Sequence, residues 1–224
     1  MWQSISLGFL GQLMALILYS AAINASDSPV ANGSSTKGEA PNREKTLKQP
    51  MNTAIIYLTR TGNTEAVAKM IQQEIGGDLI ELRPAQSYPS DYQAHVDQVD
   101  EENDLGFLPP LANDLAGLAQ YERLFLGYPT WDMTLPPPFK TLLSQGDFSG
   151  KTILPFNTNA GFGAGDSVAV INQLCSDCRV KKALIVEGGY ERKGIMLAIQ
   201  GAREQEVQAQ VKDWLKETAG ESRP

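Results

Sequence analysis

Apolar residues along this chain fall into short continuous runs, each followed by a segment with helical spacing. The first run is Thr53–Leu58, and a helix with Val67, Ala68, Met70 and Ile71 on one side follows over Thr64–Ile75. Further strands are expected at Leu79–Leu82, Arg123–Tyr128, Thr152–Phe156 and Val180–Val186. Helices are expected at Tyr92–Asn103, Phe139–Ser144, Ser167–Leu174 and Glu204–Leu215, the last with a stripe at Val207, Val211, Trp214 and Leu215. Runs of this kind, apolar on both faces and separated by helices, belong to a parallel sheet covered on both sides. The expectation is a doubly wound five-stranded parallel sheet in three α/β/α layers, over residues 51–220. Ligand sites in such folds lie beyond the C-terminal ends of the strands.

The pattern before residue 51 is different. Ile5–Ala25 is mostly apolar and uncharged, and residues 26–50 are rich in Ser, Asn, Gly, Pro and Lys. Residues 26–50 read as a disordered linker, so the domain carries a disordered N-terminal extension. Residues 1–25 have three readings: a cleaved signal peptide, an uncleaved membrane anchor, or an over-extended start with translation from Met51. Ser20-Ala21-Ala22 offers a small-x-small cleavage site, but no Lys or Arg precedes the apolar run. Export (periplasmic or membrane-anchored) is favoured; the protein is cytoplasmic if translation starts at Met51.

Composition narrows the function. The 224 residues carry a formal net charge of −7; residues 1–50 account for +1, leaving −8 on the remainder. That balance disfavours nucleic acid and anionic membrane as partners of the domain and suits a basic one. Membrane contact would come only through residues 5–25 if they stay uncleaved. The single histidine, His95, cannot build a multi-histidine metal site, and its polar surroundings suggest the surface. Cys175 and Cys178 have C-x-x-C spacing, which suits a redox pair or half a zinc site. The plainer reading is a small buried Cys175 at the end of an apolar helix with an incidental Cys178.

Three loops lie at expected strand ends. The first is Thr59-Arg60-Thr61-Gly62-Asn63-Thr64, between a strand and a helix. A helix N-terminus offers unpaired amides and about half a positive charge, and hydroxyls add donors, so the loop suits a phosphate. It lacks the lysine of a Walker A motif. The second runs from Tyr128-Pro129-Thr130-Trp131-Asp132 to Phe139, and the third is Asn157-Thr158-Asn159-Ala160-Gly161-Phe162-Gly163-Ala164-Gly165-Asp166. With these three loops in order, residues 52–218 resemble the flavodoxin family.

That resemblance implies FMN as the cofactor, with its phosphate on Thr59, Arg60, Thr61, Gly62, Asn63 and Thr64. It places the isoalloxazine ring between Tyr128, Pro129, Thr130, Trp131 and Asp132 on one side and Asn159, Ala160, Gly161, Phe162 and Gly163 on the other. Trp131 is the stacking candidate. Gly161, Gly163 and Gly165 would aim amides at the ring edge. Phe162 stands where the family often has tyrosine. Residues 129–138 contain no glycine, so Asp132 is the residue best able to take a positive φ there. Gly188–Ile195 reads as an insert splitting the last strand, with Met196–Ile199 resuming it.

The function implied is electron transfer to a redox protein partner or a small electron acceptor. The alternative is an FMN-dependent NAD(P)H:quinone-type reductase on the same fold. A third reading is a membrane-tethered binding module that has lost flavin; the intact loops argue against it.

Overall fold

A computed structural model describes residues 52–220, Ser176 excepted. The expected signal or anchor at 1–25 and the linker at 26–50 lie outside the described residues. Within them, no helix is long and apolar enough to cross a membrane.

The elements run β1 (Thr53–Tyr57), α1 (Asn63–Ile75), β2 (Asp78–Glu81), α2 (Tyr92–Leu105), a 3₁₀ turn (Ala116–Gln120) and β3 (Arg123–Pro129). Then come α3 (Pro137–Gln145), β4 (Thr152–Asn159), α4 (Ser167–Leu174), β5 (Arg179–Val180), β6 (Leu184–Glu187), a 3₁₀ turn (Glu191–Lys193) and α5 (Ala202–Gly220). Every pairing between strands is parallel, in the order β2-β1-β3-β4-β5, with β6 also on β4. Order 2-1-3-4-5 is the flavodoxin-like doubly wound arrangement.

All five residues of β1 are buried, because helices cover both faces of the sheet. Ala54 and Ile56 join a core with Phe139 and Leu142 of α3 and Ile171 of α4. Ile55 and Tyr57 point the other way, onto Val67 and Ile71 of α1 and Val207 and Val211 of α5. Each fully buried aliphatic side chain contributes about 1.5–3 kcal/mol. Trp214 of α5 adds an anchor: its indole N–H donates to the Lys182 carbonyl at 2.8 Å.

Two expectations about the last strand are corrected. It is not one run over Val180–Val186 but two pieces, β5 and β6, on the same side of β4. The pairing offset grows by one residue between Ile153↔Val180 and Phe156↔Leu184. Pro155 explains the break. The Ile153 carbonyl faces this edge, where it accepts from Lys181 N at 2.8 Å. Pro155, two residues on, faces the same way and has no N–H to pair, which favours an extra residue opposite it.

Nor does Met196–Ile199 resume a strand. Gly188–Ile195 is a small hairpin closed by a bridge between Tyr190 and Ile195, and the segment after it is irregular until α5. Cys178 is not incidental: it forms a disulfide with Cys175, joining the end of α4 to the start of β5.

Candidate functional site

The first loop leaves β1 and enters α1 through Gly62, which caps the helix with φ 85°. That left-handed conformation suits glycine. No side chain caps the helix; Gly62 N itself turns back to Thr59 Oγ1 at 3.0 Å. The first intrahelical bond runs from Ala66 N to Gly62 O. The amides of Asn63, Thr64 and Glu65 therefore have no intrahelical acceptor. Among the described residues nothing else takes them, so an anion would find donors and the positive end of α1 together.

Asn63 is buried and holds this loop in place. Its Nδ2 donates to Thr61 Oγ1 at 2.8 Å and to the Met196 carbonyl at 2.6 Å. Its Oδ1 accepts from Ala198 N at 2.9 Å and Ile199 N at 3.2 Å. These bonds give the 196–199 segment its path in place of a strand. Thr64 Oγ1 lies 2.8 Å from Thr158 Oγ1 and ties the loop to the end of β4.

Arg60 was expected among the phosphate contacts, but its donors are committed elsewhere. Nε and Nη2 grip the Glu191 carboxylate at 2.8 and 2.9 Å. Nη1 and Nη2 also donate to the carbonyls of Pro89 and Ser90, each at 2.8 Å. The bidentate pair clasps the first loop to the 188–195 hairpin.

The second and third loops are joined to each other. Thr130 N donates to Thr158 O at 2.9 Å, and Thr130 Oγ1 to Gly163 O at 2.7 Å. Asp166 N donates to Met133 O at 3.0 Å. Gly165 makes that approach possible: a Cβ there would lie 1.7 Å from Met133 O. Asp132 takes φ 47°, the conformation its short polar side chain allows, and Met133 follows at φ 54°. Asn103 Nδ2 steadies the Asp132 carboxylate at 3.0 Å.

The amides of Gly161 and Gly163, expected to face the ring edge, are engaged within their own loop. Asn159 Oδ1 already accepts from Gly161 N at 2.8 Å and Gly163 N at 3.0 Å. The Nδ2 of Asn159 is in turn held by the carbonyl of Val186 and by Asn157 Oδ1, each at 3.2 Å.

Between the loops lies a cavity of about 420 Å³, within the usual size of a small-molecule site. Its wall includes Arg60, Thr61, Asn63, Thr64, Pro129, Thr130, Trp131, Asp132, Asn159, Ala160 and Phe162 from the expected set. Thr59, Gly62, Gly161 and Gly163 shape the loops without lining it. Tyr128 belongs to the core instead: it is fully buried, its hydroxyl accepts from Ser167 Oγ at 3.0 Å, and its ring packs on Phe139. Burial pushes its phenol up to about 12. Phe162 is 65% exposed and lies edge-to-face with Tyr190.

Two parts of the wall were not foreseen. One is the hairpin segment from Gly188 to Arg192. The other is α2, which contributes Tyr92, His95, Val96, Val99 and Asp100. Their i, i+3, i+4, i+7 spacing was a readable signal for one helix face.

His95 is not on the surface. It is 4% exposed, its ring lies edge-on to Trp131 at 4.4 Å, and Tyr88 is at 5.2 Å. Among the described residues neither ring nitrogen has a hydrogen-bond partner. Its pKa is lowered to about 4, by burial first and then by nearby Arg60, with Glu191 opposing both. The imidazole is neutral at neutral pH, with one donor and one acceptor unused. Leaving such groups buried and unpaired costs about 1–3 kcal/mol each.

A doubly wound sheet whose carboxyl edge carries an uncapped helix N-terminus and an aromatic-walled cavity defines a mononucleotide-binding type of α/β protein. A family model described as flavodoxin matches residues 52–199, so the chain belongs to the flavodoxin family. It is similar to flavodoxins of Synechocystis sp. (32% identity over 118 residues, 51% of this chain and 52% of that protein) and Picosynechococcus sp. (34% over 119 residues, 51% and 52%). The chain thus spans about half the length of the curated relatives it matches.

Among solved structures, a putative flavoprotein from Bacteroides uniformis aligns with a TM-score of 0.61 at 25% identity, covering 75% of this chain and 99% of that one. A Lactobacillus acidophilus flavoprotein solved in complex with FMN aligns with a TM-score of 0.52 at 24% identity, covering 60% and 93%; at that identity the likeness concerns the fold.

Proposed function

We propose that this protein binds FMN in the cavity between the three loops and serves as an electron-transfer protein. The observation that carries this reading is the uncapped first turn of α1, opening beside an aromatic-walled cavity at the carboxyl edge of the sheet. The amides of Asn63, Thr64 and Glu65 and the hydroxyl of Thr61 would hold the phosphate. Trp131 would cover one face of the ring system. When bound, FMN supplies reversible electron transfer, and the chain's residues tune it.

The tuning residues sit at the cavity wall. Asp132 and Asp100 put negative charge there, which disfavours adding further negative charge to a ligand. The carboxyl of Asp100 is itself raised above the ordinary range, by desolvation first and then by Asp132. The acidic domain would steer a basic redox partner. Export remains our preferred location, and the Cys175–Cys178 disulfide supports it, since disulfides persist in oxidising compartments.

The test is FMN titration of the purified full-length chain, followed by anaerobic potentiometry. Binding with two separate one-electron potentials is the expected result. A single two-electron step, together with NAD(P)H oxidation in the presence of a quinone, would replace the carrier with a reductase. Failure to take up FMN would end the reading.

A further inference from the structure

We propose that His95 of α2 is a direct contact of the flavin, giving a hydrogen bond to, or accepting one from, a polar atom of the bound ring system. This rests on the FMN reading above.

Among the described residues His95 has no hydrogen-bond partner. The neighbouring polar side chains Arg60 and Tyr88 are engaged elsewhere. Arg60 is spent on Glu191 and on the Pro89 and Ser90 carbonyls. The Tyr88 hydroxyl donates to Glu102, which also accepts from Gln98. Trp131 offers the edge of an aromatic ring. A buried imidazole with two unused nitrogens would be better replaced by an apolar side chain if it served packing alone. Its place in the cavity wall gives those nitrogens another use.

Both nitrogens are screened from water by protein atoms. Trp131, half-buried and edge-on to the imidazole at 4.4 Å, would have to shift for a ligand to reach them. Trp131 stands directly before two residues with positive φ, Asp132 and Met133, of which Met133 has no polar side chain to ease the left-handed conformation. Contact with His95 and stacking by Trp131 would then be two results of one side-chain movement. The flavin would be read on the α2 side by a side chain as well as at the loops by the backbone.

His95 is the only histidine in the chain, so histidine labelled with ¹⁵N reports on this residue alone. Tag-free full-length protein is titrated with FMN while flavin fluorescence and the imidazole ¹⁵N resonances are followed together. The expected result is a ring-nitrogen shift of several ppm that saturates with the fluorescence change. A fluorescence change with an unmoved imidazole would overturn the inference and leave FMN binding standing. No fluorescence change would overturn both.

The variant His95→Phe removes the polar atoms and keeps a flat ring. Its FMN dissociation constant should rise about tenfold, the size of one lost hydrogen bond. Its thermal midpoint without FMN should not fall. His95→Gln, which offers a donor and an acceptor, should recover the affinity to within about threefold. Unchanged FMN affinity in His95→Phe would also overturn the inference.

Discussion

The cavity has two sides that treat their polar groups in opposite ways. On the third-loop side, side chains close the backbone: Asn159 takes the amides of Gly161 and Gly163, and Thr130 takes the Gly163 carbonyl. On the side of α1 and α2, the first-turn amides and both nitrogens of His95 have no partner among the described residues. A saturated side has little to gain from a polar ligand and serves as a rigid wall. The unsaturated side is where a ligand gains hydrogen bonds that the protein does not make for itself. The difference separates scaffold from recognition within a single cavity, although both sides are built from strand-end loops or the helices beside them.

The strongest way to break this comparison is to remove the residue that keeps the unsaturated side in place. Asn63→Ala deletes four hydrogen bonds at a buried position and should cost about 3–4 kcal/mol, measured by denaturant unfolding. A cost below about 1 kcal/mol would mean that the loop holds its shape without Asn63.

A change of pH probes the same side. His95 is neutral when folded down to about pH 4 but takes up a proton near 6.5 when unfolded. The unfolded state therefore binds more protons between those values. The contribution is fully present above about 6.5 and is lost as pH falls through the window, by about 1.4 kcal/mol per pH unit. The slope should be missing in His95→Phe, and an identical pH profile in the two proteins would refute the assignment.

The saturated side is tested by Asn159→Ala, which frees two amides and leaves the Val186 carbonyl without this donor. It should cost about 2 kcal/mol and should raise hydrogen exchange at Gly161 and Gly163 while sparing Thr64. The smallest effect is expected at Gly62→Ala. Its Cβ would meet only Leu197 Cδ1 at 3.6 Å, so the cost is the left-handed φ, about 1 kcal/mol in a melting or denaturant curve.

The layered fold was legible because strands covered on both faces leave uninterrupted apolar runs, as Ala54 to Leu58 do. The three loops were legible because glycine, threonine and asparagine cluster at strand ends. What escaped depends on distant pairing. Arg60 looked like a phosphate ligand because its partner, Glu191, lies 131 residues away in sequence. Tyr128 looked like a loop residue because sequence spacing does not show which way the last side chain of a strand turns. Asn159 was legible as a cavity residue, but its bonds to its own loop were not. His95 was hidden by its acidic and polar neighbours, although Val96 and Val99 marked the inward side of its helix. The split of the last strand could not be read from Pro155 alone, because the effect depends on which neighbour its missing N–H faces.

That missing N–H also bears on how copies of the protein meet. An open sheet invites a second chain to add a strand at its border, and a long flat border is an aggregation hazard. Here the border beyond β4 is cut into a two-residue and a four-residue piece with a bulge between them. A neighbouring copy finds no continuous row of backbone groups to extend, even though Ile185 is exposed there. One proline in an interior strand thus denies a second copy a continuous edge to extend.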